Sequence, residues 1–166
     1  MKKITVFLLC ACLACAMTGC GEAEYLRIHI RAHSNSVLDQ SVKLVVRDAV
    51  VEYLTPFLQD KSSLSQAIAT VKQRLDTVSQ VALRTLQEQG FSYGVTVRLD
   101  REFFPTRTYG SIALASGVYD ALIIELGAGQ GDNWWCIAYP PLCFGGAGEV
   151  EVKSWIWERW KQLFGD

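Results

Sequence analysis

Cys136 and Cys143 are seven residues apart, with Pro140-Pro141 between them. A proline bend can bring two such Cα atoms within the roughly 4.4–6.8 Å that a disulfide needs. Closing so small a loop stabilises by about 2.5 kcal/mol in the chain-entropy model. A disulfide is the chemistry this spacing favours; two buried thiols are the plain alternative.

His29 and His33 are the only histidines. Four apart on a helix they could share a metal. On a strand the same spacing separates their Cα atoms by about 13 Å, too far for one ion. Gly127-x-Gly129-x-Gly131 has the look of a phosphate loop. Such a loop needs a helix N-terminus behind it, and here Asn133-Trp134-Trp135 follows. A hairpin turn using glycine's positive φ fits better. Asp39, Asp48 and Glu52 could meet on one helix face, but ion pairs with Lys43 and Arg47 explain them as well. Ser-x-x-Lys is absent, and Gly90-Phe91-Ser92-Tyr93-Gly94, though it reads Gly-x-Ser-x-Gly, runs from a helix into a strand, the reverse of a nucleophile elbow. Nothing here calls for a catalytic residue, a metal or a cofactor. A secreted or lipid-anchored hydrolase acting on cell wall stays open as the competing reading, since carboxylate pairs can be distant in sequence.

The other four cysteines, Cys10, Cys12, Cys15 and Cys20, fall in the first twenty residues. There Lys2-Lys3 precede an uncharged apolar run from Ile4 to Met17, then Thr18-Gly19. Charge, short apolar stretch and small residues are the layout of an export signal. The run is short against the roughly 20 residues of a permanent span. Met17-Thr18-Gly19-Cys20 resembles a bacterial lipobox, which would make Cys20 a lipid-modified N-terminus at the membrane surface. Plain cleavage and an uncleaved anchor are the other two routes. All three take the rest of the chain out of the cytoplasm.

The 166 residues are 50% hydrophobic and 20% charged, with a net charge of −1. This composition excludes a disordered chain. The absence of a Lys/Arg block argues against nucleic acid as a partner. Without residues 1–20, fourteen basic residues face seventeen acids, a net charge of −3.

The elements that must position these residues follow from periodicity. Over 25–33, Leu26, Ile28, Ile30 and Ala32 alternate with Arg27, His29, Arg31 and His33, a half-buried strand with a solvated basic face. Ser36 starts a helix running to about Leu54, with Pro56 ending or kinking it. Leu64, Ile68, Val71, Leu75, Val78, Ala82 and Leu86 predict one helix over 63–89, closed by Gly90. Period two returns over 91–100. A long connection covers 101–117, and strands follow at 118–126 and 134–139. The segment 149–164, with Trp155, Trp157 and Trp160, reads as a C-terminal helix that either docks on the open side of the sheet or meets a partner. The order β-α-α-β-β-β-α, with short connections between the last strands, predicts a two-layer α+β fold. Its sheet is mostly antiparallel, covered by two amphipathic helices. The expected divisions are a leader at 1–20, a domain at 21–148 and the helix at 149–166. Trp134 and Trp135 must face opposite sides of their strand.

Several segments, in order, resemble one known family. They are Leu26 to Ser36, then Asp39-Gln40, Lys43 and Val46-Arg47-Asp48. Phe104 to Gly110 and Ser116 to Leu122 follow. The last runs from Gly127 to Gly131 into Asn133-Trp134-Trp135-Cys136 and Pro140-Pro141-Leu142-Cys143-Phe144. Together they are similar to the stage II sporulation protein R family of endospore-forming bacteria, over roughly residues 25–144. Two departures are His33-Ser34-Asn35 in place of Asn-Ser-Asp, and Ala115 in place of Pro. The lipobox is not carried over from the family. The resemblance implies signalling, not catalysis. Such a protein is made in the forespore and exported to the space between the two membranes of the sporangium. There it triggers a membrane-embedded aspartic protease of the mother cell, which cleaves the precursor of sigma factor E. Arg107, Tyr109, Trp134, Trp135, Pro140 and Pro141 are the candidate contacts, because loop and aromatic residues suit an interface.

Overall fold

The computed structural model describes residues 25–110 and 112–141. The leader with Cys20, Cys143 and the expected C-terminal helix lie outside the described residues. Strand β1 spans Leu26–Arg31, followed by helices α1 (Val37–Leu58), α2 (Leu64–Lys72) and α3 (Leu75–Glu88). Then come β2 (Val95–Phe104), a small hairpin of β3 (Arg107–Tyr109) and β4 (Ile112–Leu114), β5 (Gly117–Leu126) and β6 (Asn133–Tyr139). The fold is α+β, with helices on one face of a four-stranded mixed sheet in the order β2-β5-β1-β6.

The first strand of the chain thus sits inside the sheet. It pairs parallel with β5, Ile28 opposite Leu122, and antiparallel with β6, Ile28 opposite Cys136. Strand β2 lies antiparallel outside β5, Leu99 opposite Leu122. Consecutive β5 and β6 are therefore not neighbours, against the expectation from their short connection. The loop between them crosses the end of β1 instead. Two inter-strand steps are about 10 Å, which six residues span easily.

Local chemistry explains that loop. All six backbone N–H groups from Gly127 to Asp132 are spent. Gly127 donates to Gly94 O and Gly129 to Leu126 O. Ala128 donates to His33 Nδ1 and Asp132 to Asn35 Oδ1. Gln130 and Gly131 donate to the carbonyls of His33 and Ala32. The loop is a clasp over β1, not a hairpin turn, and it has no amide left to cradle a phosphate. A Cβ on Gly131 would lie 2.2 Å from Ser34 O, so only glycine lets the backbones approach this closely.

The apolar face of β1 and β5 packs on the helices. Leu26, Ile28, Ile30, Leu122 and Ile124 meet Val46, Val50, Leu54, Val78 and Leu86, all fully buried. Each such side chain contributes about 1.5–3 kcal/mol by leaving water. Helix α1 starts at Ser36, whose Oγ accepts from Asp39 N, and runs two residues past Pro56. Proline there forfeits one hydrogen bond near the helix end, and continuation buries Leu58.

The single helix expected over 63–89 is two helices. Arg74 leaves helical geometry at φ −115°, ψ 4°. Its guanidinium donates to Thr70 O at 3.0 Å and lies 3.9 Å from the Phe57 ring centroid. One side chain thus caps α2 and packs on α1 while the chain turns into α3. The apolar stripe continues across the break, so periodicity gives no sign of it.

Candidate partner-binding face

No helix covers the other face of the sheet among the described residues. Arg27, His29 and Arg31 project there from β1, with Arg98, Glu102 and Phe104 from β2 and Tyr119 and Glu125 from β5. The expected solvated Arg/His face is not found. Arg27 is 0% exposed and His29 only 4%. A central strand has neighbours on both sides, and here aromatic side chains from β2, β5, β6 and the hairpin close over it.

The β2 end of this face is an ion network. His29 Nδ1 lies 2.5 Å from Glu102 Oε2. Arg31 bridges Glu102 and Glu125. Arg98 Nη1 meets Glu125 at 2.6 Å. Hydrogen bonding from Arg98, then the positive field of Arg98 and Arg31, holds the Glu125 carboxyl below the usual glutamate value despite burial.

Arg27 is built differently. Its Nε donates to Cys136 O at 3.1 Å and its Nη2 to the Tyr109 hydroxyl at 2.6 Å. Its guanidinium carbon lies 4.4 Å from the Phe104 ring centroid, 5.1 Å from Tyr119 and 5.4 Å from Tyr109. These are cation–π distances. Burial lowers its pKa against the opposing pull of Tyr109. Among the described residues, its Nη1 has no hydrogen-bond partner, and neither does the buried Nε2 of His29. Burial also raises the Tyr109 pKa, Arg27 opposing, so Tyr109 stays a phenol and a donor.

Trp135 continues the stack, its ring 5.3 Å from His29 and its centroid 4.2 Å from the guanidinium of Arg107. Trp134 turns to the helix side and lies under Arg47 at 5.5 Å. An open cleft of about 460 Å³ is lined by Arg107, Tyr109, Asp132, Asn133, Trp134 and Trp135. Four of the six candidate contacts therefore share one cleft. Pro140 and Pro141 do not line it; they follow the end of β6, with Pro140 exposed. Cys136 is disulfide-bonded; Cys143, the partner favoured from the sequence, lies outside the described residues.

The remaining candidates separate. His33 stacks on Tyr93 at 4.6 Å and accepts from the clasp loop, far in role from His29. Asp39 is a buried capping group. Burial alone would raise its pKa, but hydrogen bonds from Ser34, Tyr93 and Ser36 outweigh it and hold the carboxyl below the ordinary aspartate value. Arg47 pairs with Asp48, while Lys43 donates to Gln40 and to Asp132 O. Among the described residues, no group of three or more His, Cys, Asp or Glu could hold a metal ion.

Arg27, His29, Phe104 and Tyr119 are buried on the open face, where the sequence pointed to none of them as candidate contacts. One signal was available. Strand β2 places Val95, Val97 and Leu99 on one side, and Phe104 breaks that alternation by standing on the polar side.

Comparison with known proteins agrees over most of the chain. No solved structure matches it. Stage II sporulation protein R of Bacillus subtilis (strain 168) is 37% identical over 121 residues, covering 73% of this chain. The chain spans about half of that relative's length (54%). Residues 22–149 match the family described as Stage II sporulation protein R. The chain belongs to the stage II sporulation protein R family.

Proposed function

We propose that this chain is a sporulation signal, exported from the forespore into the space between the two membranes of the sporangium. There it activates a membrane-embedded aspartic protease of the mother cell, and the protease cleaves the precursor of sigma factor E. Family membership over residues 22–149 is the observation that carries this reading. It acts by binding, not by catalysis. The sheet face left without a helix among the described residues, and its cleft of arginine and aromatic side chains, suit a protein partner, since Trp, Tyr and Arg dominate interface energies. A ligand moves a protease between states only by its differential affinity for them. The cleft must therefore fit the active form better than the resting one. The leader, by cleavage, by lipid on Cys20 or as an uncleaved anchor, takes the domain out of the forespore cytoplasm into the space between the two membranes.

The test is co-expression in a non-sporulating host of this chain, the protease and the sigma precursor. Precursor cleavage that requires this chain is the expected result. No cleavage, with the chain folded and exported, overturns the proposal. Wall-degrading activity of the purified protein would transfer the assignment to a hydrolase.

A further inference from the structure

The two part-buried glutamates of the open face are both paired, exposed Asp100 accepts only from the Arg101 backbone and its charge is felt by Arg98, and two arginines are left over. Glu102 is taken by His29 and Arg31, and Glu125 by Arg31 and Arg98. Arg27 and Arg107 form no ion pair among the described residues, although Arg27 is fully buried. Asp132 borders the same cleft but pairs with neither; its charge is felt by Lys43. A buried guanidinium without a counter-ion is costly, and aromatic rings offset only part of that cost. One of its nitrogens is also orphaned.

Tyr109 connects this charge to the cleft. Its oxygen accepts from Arg27 at 2.6 Å, and the residue lines the cleft. The hydroxyl proton has no acceptor among the described residues. A hydroxyl that accepts from a cation becomes a stronger donor, because successive hydrogen bonds polarise one another. Arg107, exposed and spread over Trp135, adds a second donor on a flat hydrophobic wall.

We infer that the cleft receives a carboxylate from an acidic segment of a partner protein, with the Tyr109 hydroxyl and Arg107 as its donors and buried Arg27 as the charge behind Tyr109. The inference rests on reading this face as the partner surface. It specifies what the partner brings: an acidic side chain beside an apolar or aromatic one that covers Trp135.

The test uses the protein as purified from an expressing host, labelled with ¹⁵N, and follows the Trp135 indole N–H. The probes are a capped Gly-Glu-Glu-Gly peptide, its Gly-Gln-Gln-Gly counterpart and phosphatidylglycerol vesicles. The acidic peptide should bind about tenfold more tightly than the neutral one, as charge-assisted hydrogen bonds require. Arg107→Gln and Tyr109→Phe should each weaken it by about the same factor. Arg107 is exposed, so Arg107→Gln leaves the buried core untouched; Tyr109→Phe takes an acceptor from buried Arg27, so its ¹⁵N spectrum must first match the wild-type fold. Equal binding of the two peptides overturns the inference, as does indifference to both substitutions or a response to vesicles alone. In the co-expression assay, wild-type cleavage that survives both substitutions also sinks it while leaving the protease proposal standing. Charge-selective peptide binding without any wild-type cleavage does the reverse.

Discussion

The two faces of the sheet are both buried along β1, yet by opposite means. Toward the helices, Leu26, Ile28 and Ile30 meet only apolar neighbours. Away from them, Arg27 and His29 are buried by aromatic rings and by a carboxylate, with two polar atoms left unpaired. The first arrangement is what stability alone would select. The second retains a fixed charge and two polar atoms without partners among the described residues, a cost that stability alone would remove. Burial alone therefore does not distinguish the two faces; the manner of burial does.

Adjacent residues give the strongest test of that contrast. Ile28→Ala should cost about 2–5 kcal/mol, read from the urea midpoint, with signalling lost only in proportion to folded protein. Arg27→Met should cost less, about 1–3 kcal/mol, because it frees two acceptors but also removes a buried charge. It should nonetheless abolish precursor cleavage. A larger stability loss than for Ile28→Ala would mean that the open face is a second core and the contrast is false.

Acid unfolding probes the helix-side anchor. The Asp39 carboxyl is held below its unfolded value, so its contribution is present above the unfolded range. It is lost as pH falls through the folded value. Asp39→Asn should cost about 1 kcal/mol at neutral pH and flatten the stability profile below about pH 4. The smallest stability effect belongs to Arg107→Gln, within about 0.5 kcal/mol by thermal unfolding, while cleavage in the co-expression assay falls. Equal loss of stability and signal at Arg107 would remove the distinction between the faces.

Much of the layering was legible in the residues. The alternation in 26–32 defined β1, and the 3.6 period defined the helix face. Alternation reports polarity, however, and not what will cover it. The box around Arg27 is assembled from Phe104, Tyr109 and Tyr119, three positions brought together only by the β2-β5-β1 order. That order was hidden because the clasp loop is short enough to suggest a hairpin, and hairpins pair consecutive strands. The break at Arg74 was hidden because its cause is one side chain folding back on Thr70 and Phe57, not a change of pattern. Four of the candidate contacts share the cleft because the choice of loop and aromatic residues picked two short segments that the fold brings together.

The position of β1 bears on when the domain can form. Its partners are the last strands made among the described residues: Ile28 waits for Leu122 on one side and Cys136 on the other. Contacts that distant in sequence close slowly, since most of the loop entropy is lost before any pairing repays it. A ribosome releasing this chain from its N-terminus would present β1 and the three helices before either strand that flanks it. Ile28 and Ile30 would then stay without their sheet until β5 and β6 emerge. Folding is thus gated by β5 and β6, and truncation before β6 should leave no partial signal at all.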